Sequence, residues 1–199
     1  EDANACLNAQ EVEVEGPLTI GVLLPEEILV ELGTSVEIHP VIHPDPGQIV
    51  QVIWEPVTGL SCSDCLFPYA TVLQTTLYQV TVSDANGCSA SAQTIIRVDP
   101  SVSLYAPNIF SPNADGINDV FTIFSKEGKI KKINRLVIWS RWGESVFEAK
   151  DMAPGVSSQG WAGTFRGKPL SEGVYTWVAE VEFIDGRTEL YEGDVTLVR

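Results

Sequence analysis

Hydrophobic and polar residues alternate with a period of two in several stretches of this chain. Residues 78–82 and 175–183 show the pattern most clearly, with aromatic and aliphatic side chains at every second position. A period of two places successive side chains on opposite faces of a strand, so each stretch predicts a strand with one buried face. We find no amphipathic helical stretch of useful length beside these patterns, and the chain is therefore predicted to be all-β.

Turn signals separate the runs and suggest the architecture. Asn86-Gly87 and Asp185-Gly186 are typical of tight β-hairpins. The clearest predicted strands are Ser35–Ile38, Ile49–Trp54, Leu77–Val82 and Thr94–Val98, followed in the second half by a hairpin that continues into Thr188–Leu190 and Val195–Val198. Short strands separated by turns at intervals of about 8–12 residues favour two tandem Ig-like β-sandwich domains.

The charge distribution indicates a domain boundary. The 199 residues have a net charge of −15, yet residues 1–100 contain 14 acidic side chains and a single basic one, Arg97. Residues 101–199 contain 13 acidic and 11 basic side chains. We therefore predict an acidic spacer domain at residues 16–99 and a separate C-terminal domain at residues 101–199. The acidity argues against binding to nucleic acid, and no apolar stretch is long enough to predict insertion into a membrane.

A short repeat suggests that the chain is part of a longer array. Residues 2–6 match residues 84–88 at four of five positions, and both segments end in cysteine. Each is followed by a polar run and then by a strand pattern. We expect residues 1–15 to be the end of a preceding repeat or a leading strand, and the chain to be a monomeric fragment of a longer protein.

The cysteines allow three interpretations. Cys62 and Cys65 have the spacing of a redox motif, but the Gly- and Pro-containing β surroundings offer no helix N-terminus to activate a thiol. A zinc site would need a second close pair, which is missing. A structural disulfide between Cys62 and Cys65 in a secreted protein is favoured. The pairing of Cys6 and Cys88 stays open.

No catalytic motif is recognised. His39 and His43 have a metal-binding spacing for a helix, but the neighbouring prolines forbid that helix. The glycine-rich segments have the wrong spacing for a nucleophile elbow or a phosphate-binding loop. We therefore predict that the chain is not an enzyme.

One loop carries candidate metal ligands. Asn113, Asp115 and Asp119 place side-chain oxygens around a tight glycine turn, as in the first half of a Ca²⁺ loop. The closing bidentate glutamate is absent, because Phe124 stands at position 12. The alternatives are a Ca²⁺ site and an Asx-rich turn that satisfies its own backbone amides.

Several ordered motifs in the second half are similar to a known family. They are Ala106–Phe121, Leu136–Glu148, Gly160–Thr164 with Gly167–Pro169, Gly173–Trp177, and the end of the chain from Gly186–Arg187 to Gly193–Arg199. Together they resemble the gliding motility-associated C-terminal domain, which is the type B sorting domain of the type IX secretion system. The family usually has Gly at Ala114, Asn at Ser140 and Asp at Ala162. The first half more loosely resembles Ig-like, PKD-like repeats of Bacteroidota surface proteins, through Leu32–Val36, Trp54–Pro56, Gly59–Cys62 and Tyr78–Cys88.

The resemblance implies an export function. Such proteins cross the inner membrane and then reach the cell surface or the medium when their C-terminal domain engages the outer-membrane translocon. Tryptophan and arginine often dominate binding surfaces, and the alternative for Trp142 and Trp161 is a place in the hydrophobic core. The candidate translocon-recognition residues are Arg141, Trp142, Gly143, Trp161, Tyr175, Arg187 and Arg199. The alternative function is an adhesin module that binds glycan or protein, with or without Ca²⁺.

Overall fold

The computed structural model describes residues 20–43, 48–125 and 128–199. Strands make up most of the regular structure in these ranges, and a 3-10 turn occurs at Ser157–Gln159. The predicted end of a preceding repeat at residues 1–15, including Cys6, lies outside the described residues.

The described part of the N-terminal unit contains eight strands. They are β1 (Gly21–Leu23), β2 (Glu27–Glu31), β3 (Ser35–Glu37), β4 (Val41–His43), β5 (Ile49–Glu55), β6 (Tyr69–Thr71), β7 (Thr76–Asp84) and β8 (Ser89–Asp99). One sheet has the order β2-β8-β7-β5, in which β2 runs parallel to β8 and the other pairs are antiparallel. The antiparallel pairs β1–β4 and β3–β6 form the rest of the sandwich.

The predicted buried face of the N-terminal unit is confirmed. Tyr78, Val80 and Val82 on β7 are fully buried, while the residues between them face outward. They pack in one cluster with Trp54, which is also fully buried. The Tyr78 hydroxyl donates a hydrogen bond of 2.5 Å to the carbonyl oxygen of Thr58, so the only polar atom of that side chain is satisfied.

Nine strands occur in the C-terminal unit over the residues that the structure describes. They are β9 (Leu104–Tyr105), β10 (Ile109–Phe110), β11 (Phe124–Ser125), β12 (Ile130–Trp139), β13 (Ser145–Met152), β14 (Thr164–Phe165), β15 (Lys168–Pro169), β16 (Gly173–Phe183) and β17 (Thr188–Leu197). The main sheet has the order β10-β17-β16-β12-β13, and β10 runs parallel to β17. The pairs β9–β11 and β14–β15 complete the second sandwich. The two units are therefore tandem Ig-like β-sandwiches, as predicted.

The predicted hairpin at Asp185-Gly186 is confirmed and is longer than the sequence suggested. Strands β16 and β17 pair without interruption from Gly173–Leu197 to Glu182–Thr188. The two expected runs are thus one strand, which includes a glycine at position 193. A side chain there would meet the ring of Trp177, because a Cβ would lie 2.9 Å from a ring carbon. Glycine at that position accommodates the tryptophan rather than ending the strand.

Aromatic side chains connect the layers of the C-terminal core. The ring of Trp161 lies 5.2 Å from that of Phe110 and 4.9 Å from that of Tyr175, measured between centroids. Phe121 and Trp177 form a further pair at 5.7 Å. Edge-to-face and tilted contacts of this kind add to the stability gained from burial alone. The core therefore extends to the end of the sandwich at which β16 begins.

The other end of this sandwich contacts the N-terminal unit, and we call it the proximal end. The Lys129 ammonium lies 2.6 Å from a carboxylate oxygen of Glu31, and the Lys129 side chain is only 9% exposed. Ile184 packs against the core cluster of the N-terminal unit. A Cβ added at Gly33 would lie 2.7 Å from the Ile184 side chain, so that side chain packs directly against the Gly33 backbone. We call the opposite end of the C-terminal sandwich the distal end.

Candidate functional site

A tight turn at the distal end carries Trp142. Among the predicted recognition residues, this is the most exposed aromatic side chain. Strand β12 ends at Trp139, and the chain reverses into β13 through hydrogen bonds between Ser140 and Gly143 (2.9 Å) and between Glu144 and Ser140 (2.9 Å). Gly143 has a φ of 78°, a conformation that glycine adopts readily. The turn projects Trp142 into solvent with 83% of its surface exposed.

Arg141 accompanies this tryptophan. Its guanidinium lies 5.2 Å from the centre of the Trp142 ring, within the range of a cation–π contact. The pair presents a flat apolar ring and a positive charge together on a turn of fixed geometry. Side chains of these two types contribute strongly to protein interfaces when a partner covers them.

A groove of about 200 Å³ lies beside the turn. Its lining residues are Ser140, Arg141, Trp142, Glu144, Val146 and the segment from Leu170 to Tyr175. The Tyr175 hydroxyl donates a hydrogen bond of 2.8 Å to the Ser171 carbonyl oxygen, which fixes one wall. Burial raises the pKa of Tyr175, and the positive charges of Arg199 and Arg141 offset part of that increase. Tyr175 is thus a neutral hydrogen-bonding group at neutral pH.

Trp161 lies beneath this surface rather than on it. The side chain is 1% exposed and makes an edge contact with the Tyr175 ring. Its indole N–H donates a hydrogen bond of 3.0 Å to the Thr164 carbonyl oxygen. Trp161 therefore supports the groove, whereas Trp142 is accessible. Arg199 is nearby, and its guanidinium lies 3.4 Å from the Gly163 carbonyl oxygen.

Arg187 is the predicted recognition residue that lies elsewhere. It occupies the turn between β16 and β17 at the proximal end, about 30 Å from the start of β16 at the usual rise of a strand. Its guanidinium donates to Asp185 (2.6 Å), Glu189 (2.6 Å) and the carbonyl oxygen of Pro100 (2.8 Å). Burial raises the pKa of Asp185, but the hydrogen bonds and charge of Arg187 outweigh this effect and hold it below its usual value.

The loop from Asn113 to Asp119 uses its side-chain oxygens internally. Asp119 accepts hydrogen bonds from the backbone amides of Asn113 (2.9 Å), Ala114 (2.7 Å) and Gly116 (2.8 Å). Asp115 accepts from the amide of Ile117 (2.7 Å) and from the Asn113 side chain (2.9 Å). These bonds lower the pKa of Asp115, with the backbone bond as the largest cause.

The same loop is the predicted Ca²⁺ site. Converging amide N–H groups create positive potential, which favours an anion rather than a cation. The geometry is that of an Asx-rich turn in which the Asp119 carboxylate accepts hydrogen bonds from three backbone amides. No cluster of three or more His, Cys, Asp or Glu suited to a metal occurs in the described ranges. Ca²⁺ binding through Asn113, Asp115 and Asp119 stays a prediction.

The predicted disulfide between Cys62 and Cys65 is present. The loop that it closes is held against the core, because Trp54 donates its indole N–H to the Cys65 carbonyl oxygen (2.9 Å) and its backbone N–H to that of Ser63 (2.8 Å). Cys88 is an exposed free thiol in the turn between β7 and β8. The disulfide therefore has a structural location, remote from the distal end of the other unit.

His39 and His43 do not form a helical metal pair. His43 ends strand β4, whereas the His39 imidazole lies 3.1 Å from the Glu37 carboxylate. The His39 ring also packs 5.3 Å from the ring of Phe67. None of the described helical segments is long and apolar enough to cross a bilayer.

Comparison with known proteins identifies the C-terminal unit. Residues 104–197 match the model of the CHU_C type IX secretion signal domain. No curated protein matches the chain.

Solved structures show only distant similarity. A Bacteroides ovatus mixed-linkage glucan utilization locus protein, SGBP-B, in complex with a heptasaccharide, is 14% identical, with a TM-score of 0.31 over 88% of this chain and 45% of its own. Dpr2 Ig1-Ig2 in complex with DIP-Theta Ig1-Ig3 is 10% identical, with a TM-score of 0.36 over 90% and 64%. Dimeric latent PorU from Porphyromonas gingivalis is 13% identical, with a TM-score of 0.31 over 84% and 18%. The chain thus spans less than two thirds of each of these structures.

The family match and the fold describe the same part of the molecule. The matched segment begins at β9 and ends at the last residue of β17, so it covers every strand of the second sandwich. The complete strand set of the C-terminal unit therefore matches the type IX secretion signal domain family.

Proposed function

We propose that residues 101–199 direct export of a longer cell-surface or secreted protein through the type IX outer-membrane translocon. The family match over residues 104–197 carries this proposal. A folded sandwich with its own aromatic core can act as a signal that is recognised by shape and surface rather than as an extended peptide. Neither the family nor the described surface calls for a catalytic role.

We assign recognition to the distal end. Arg141, Trp142 and Gly143 form its exposed turn, and Tyr175 and Arg199 lie beside them. The groove offers an aromatic ring and a positive charge to a partner, whereas the proximal end is occupied by contacts with the N-terminal unit. Trp161 supports this surface from below. Arg187 serves the proximal end, because its donors are already used there.

We assign a spacer role to residues 16–99. The first 100 residues carry 14 acidic side chains and one basic one, so neighbouring acidic repeats would repel one another. Such repulsion favours an extended, soluble stalk between the exported domains and the sorting domain. The Cys62–Cys65 disulfide is consistent with an oxidising, extracytoplasmic environment.

An export assay tests the sorting function. The fusion consists of a cleavable signal peptide, a reporter and then the full chain, which keeps its own C-terminus. It is expressed in a bacterium that possesses the type IX system. We expect the reporter outside the cell, and we expect it in the periplasm when residues 101–199 are deleted. Deletion of residues 20–99 is the matched control and should leave export intact. A reporter that is exported equally without residues 101–199 would contradict the proposal.

A further inference from the structure

We propose that the open edge of β17 binds an extended, basic strand of the export machinery by β-augmentation. This inference rests on the proposed sorting function and names a second contact for it. Adding a strand to a free sheet edge provides backbone hydrogen bonds for affinity, and alternate side chains provide specificity. Within the part of the chain that the structure describes, this edge combines unpaired backbone groups, unpaired carboxylates and a buried N–H donor without an acceptor.

Among the described residues, most of β17 has no partner strand on one side. Strand β10 pairs only with Thr196 and Leu197, whereas β16 pairs with β17 along its whole length. The Thr196 amide points toward β10, since it donates to the Asn108 carbonyl oxygen (2.8 Å). Backbone groups two residues apart in a strand point the same way. The amides and carbonyls of Leu190, Glu192 and Asp194 therefore face away from β16, and no other described residue bonds them there.

The side chains along these rungs favour a basic partner. Leu190 is 73% exposed. Glu192 and Asp194 are exposed and form no ion pair with any residue that the structure describes. Two carboxylates on the same face of one strand attract Lys or Arg at alternate positions of an added strand, because oppositely charged cross-strand pairs are favourable.

The opposite edge of the same sheet is different. Strand β14 lies beside the edge strand β13. The acidic side chains of β13 are already paired, Glu148 with Arg135 (3.0 Å) and Asp151 with Lys132 (2.6 Å). Paired charges and a covering hairpin are how sheet edges avoid unwanted association. The β17 edge has neither over Leu190 to Asp194, so we place the added strand there.

The inner face of β17 offers a specific position for the added strand. Gly193 has no side chain, and the indole ring of Trp177 occupies the space above it, with Nε1 3.2 Å from where a Cβ would stand. Trp177 is 6% exposed, and its Nε1–H has no hydrogen-bond partner in the described part of the chain. A buried donor without a partner is unfavourable. A Ser, Thr or Asn opposite Gly193 on the added strand would supply the missing acceptor.

Two variants test the backbone and the charge separately in the export assay, with the full chain as the reporter fusion. Glu192→Pro removes an outward amide but no bond to β16, and Glu192→Ala removes only the side chain and is its control. The double variant Glu192→Lys with Asp194→Lys reverses the charge of the edge. Glu55→Lys with Asp64→Lys makes the same change of net charge on the N-terminal unit and is its control.

We expect Glu192→Pro and the double Lys variant each to lower the exported reporter about tenfold, the effect of losing roughly one good interaction. Glu192→Ala keeps the outward amide but loses one of the two edge charges, so it should export clearly more than Glu192→Pro. The Glu55→Lys with Asp64→Lys control keeps the whole edge and should export like the wild-type chain. Wild-type export of a folded Glu192→Pro chain would overturn the inference. If circular dichroism shows that this variant is unfolded, wild-type export of the double Lys variant overturns it. If export fails only when residues 101–199 are deleted and not in the edge variants, the sorting function is supported and the edge contact is refuted.

Discussion

The two ends of the C-terminal sandwich use the same residue types in opposite ways. At the proximal end, Arg187 donates to two carboxylates and a backbone carbonyl, and Lys129 is buried against Glu31. At the distal end, Arg141 stacks on a tryptophan that is 83% exposed. A charge whose partners are all within the chain holds the molecule together. A charge beside an exposed ring remains available to another molecule, and this distinguishes the joint from the candidate recognition surface.

The two tryptophans predicted to recognise a partner also differ in burial, although both lie at the distal end. Trp161 is buried under the groove, and Trp142 stands on its rim. Both belong to the distal end, but only one can contact a partner directly. Substitutions at the two positions should therefore separate stability from recognition.

The largest effect is expected for Trp161→Ala. The change removes a buried ring that contacts Phe110 and Tyr175 and leaves a cavity. Large-to-small substitutions of this kind cost about 3–5 kcal/mol, so the variant should unfold at a much lower denaturant concentration. Chemical unfolding followed by tryptophan fluorescence and circular dichroism measures the change. Trp161→Phe should lose clearly less, and equal losses for the two variants would show that the cavity is not the cause.

A smaller loss is expected for Asp119→Ala in the loop from Asn113 to Asp119. The carboxylate accepts three backbone amides, which would lose their partner. Because the loop is exposed, water replaces part of these bonds, and we expect about 1–2 kcal/mol, similar to the loss of a good helix cap. Urea unfolding with and without added Ca²⁺ also tests the metal prediction. Stabilisation of the wild-type chain by Ca²⁺, absent in Asp119→Ala, would favour a cation site over the turn.

Replacing either partner of the Lys129–Glu31 ion pair at the proximal end should lower the free energy of unfolding by different amounts. Glu31→Gln leaves the buried Lys129 ammonium without its carboxylate, and we expect a cost of about 1 kcal/mol. Lys129→Met keeps the apolar stem and leaves Glu31 half-exposed to water, so the change should stay within about 0.5 kcal/mol. Thermal unfolding of the full chain compares the two variants. Equal losses, or a larger loss for Lys129→Met, would contradict the structural account of the joint.

Short-range patterns predicted much of this structure. Alternation along residues 78–82 and 175–183 predicted the buried faces of β7 and β16, and the Asp185-Gly186 turn predicted the last hairpin, because each depends on residues close in sequence. The Cys62–Cys65 bridge also spans only a few positions.

Long-range packing explains what the sequence could not supply. Trp161 is buried where an isolated β-bridge joins it to Phe121, a residue distant in sequence, while Trp142 follows a strand end and meets solvent. The burial of Lys129 depends on a residue of the other unit, as the ion pair with Glu31 shows. The sequence does not show which of Arg187 and Arg141 is paired within the chain. Only the folded structure shows that Arg187 has carboxylate partners at the proximal end and that Arg141 lies beside an exposed ring at the distal end.

The smallest effect on stability, and the sharpest test of the comparison, is expected for Trp142→Ala. The ring is 83% exposed and contacts the Arg141 guanidinium, so its loss should change the free energy of unfolding by less than about 0.5 kcal/mol. If the distal end is the recognition surface, export of the reporter should nevertheless fall about tenfold, as for an interface hot spot. Leu29→Ala, at a site on β2 of the N-terminal unit that is 67% exposed, controls for the loss of apolar area. Normal export by a stable Trp142→Ala chain would move recognition away from the distal turn, whereas a destabilised chain would mean that Trp142 serves the fold as Trp161 does.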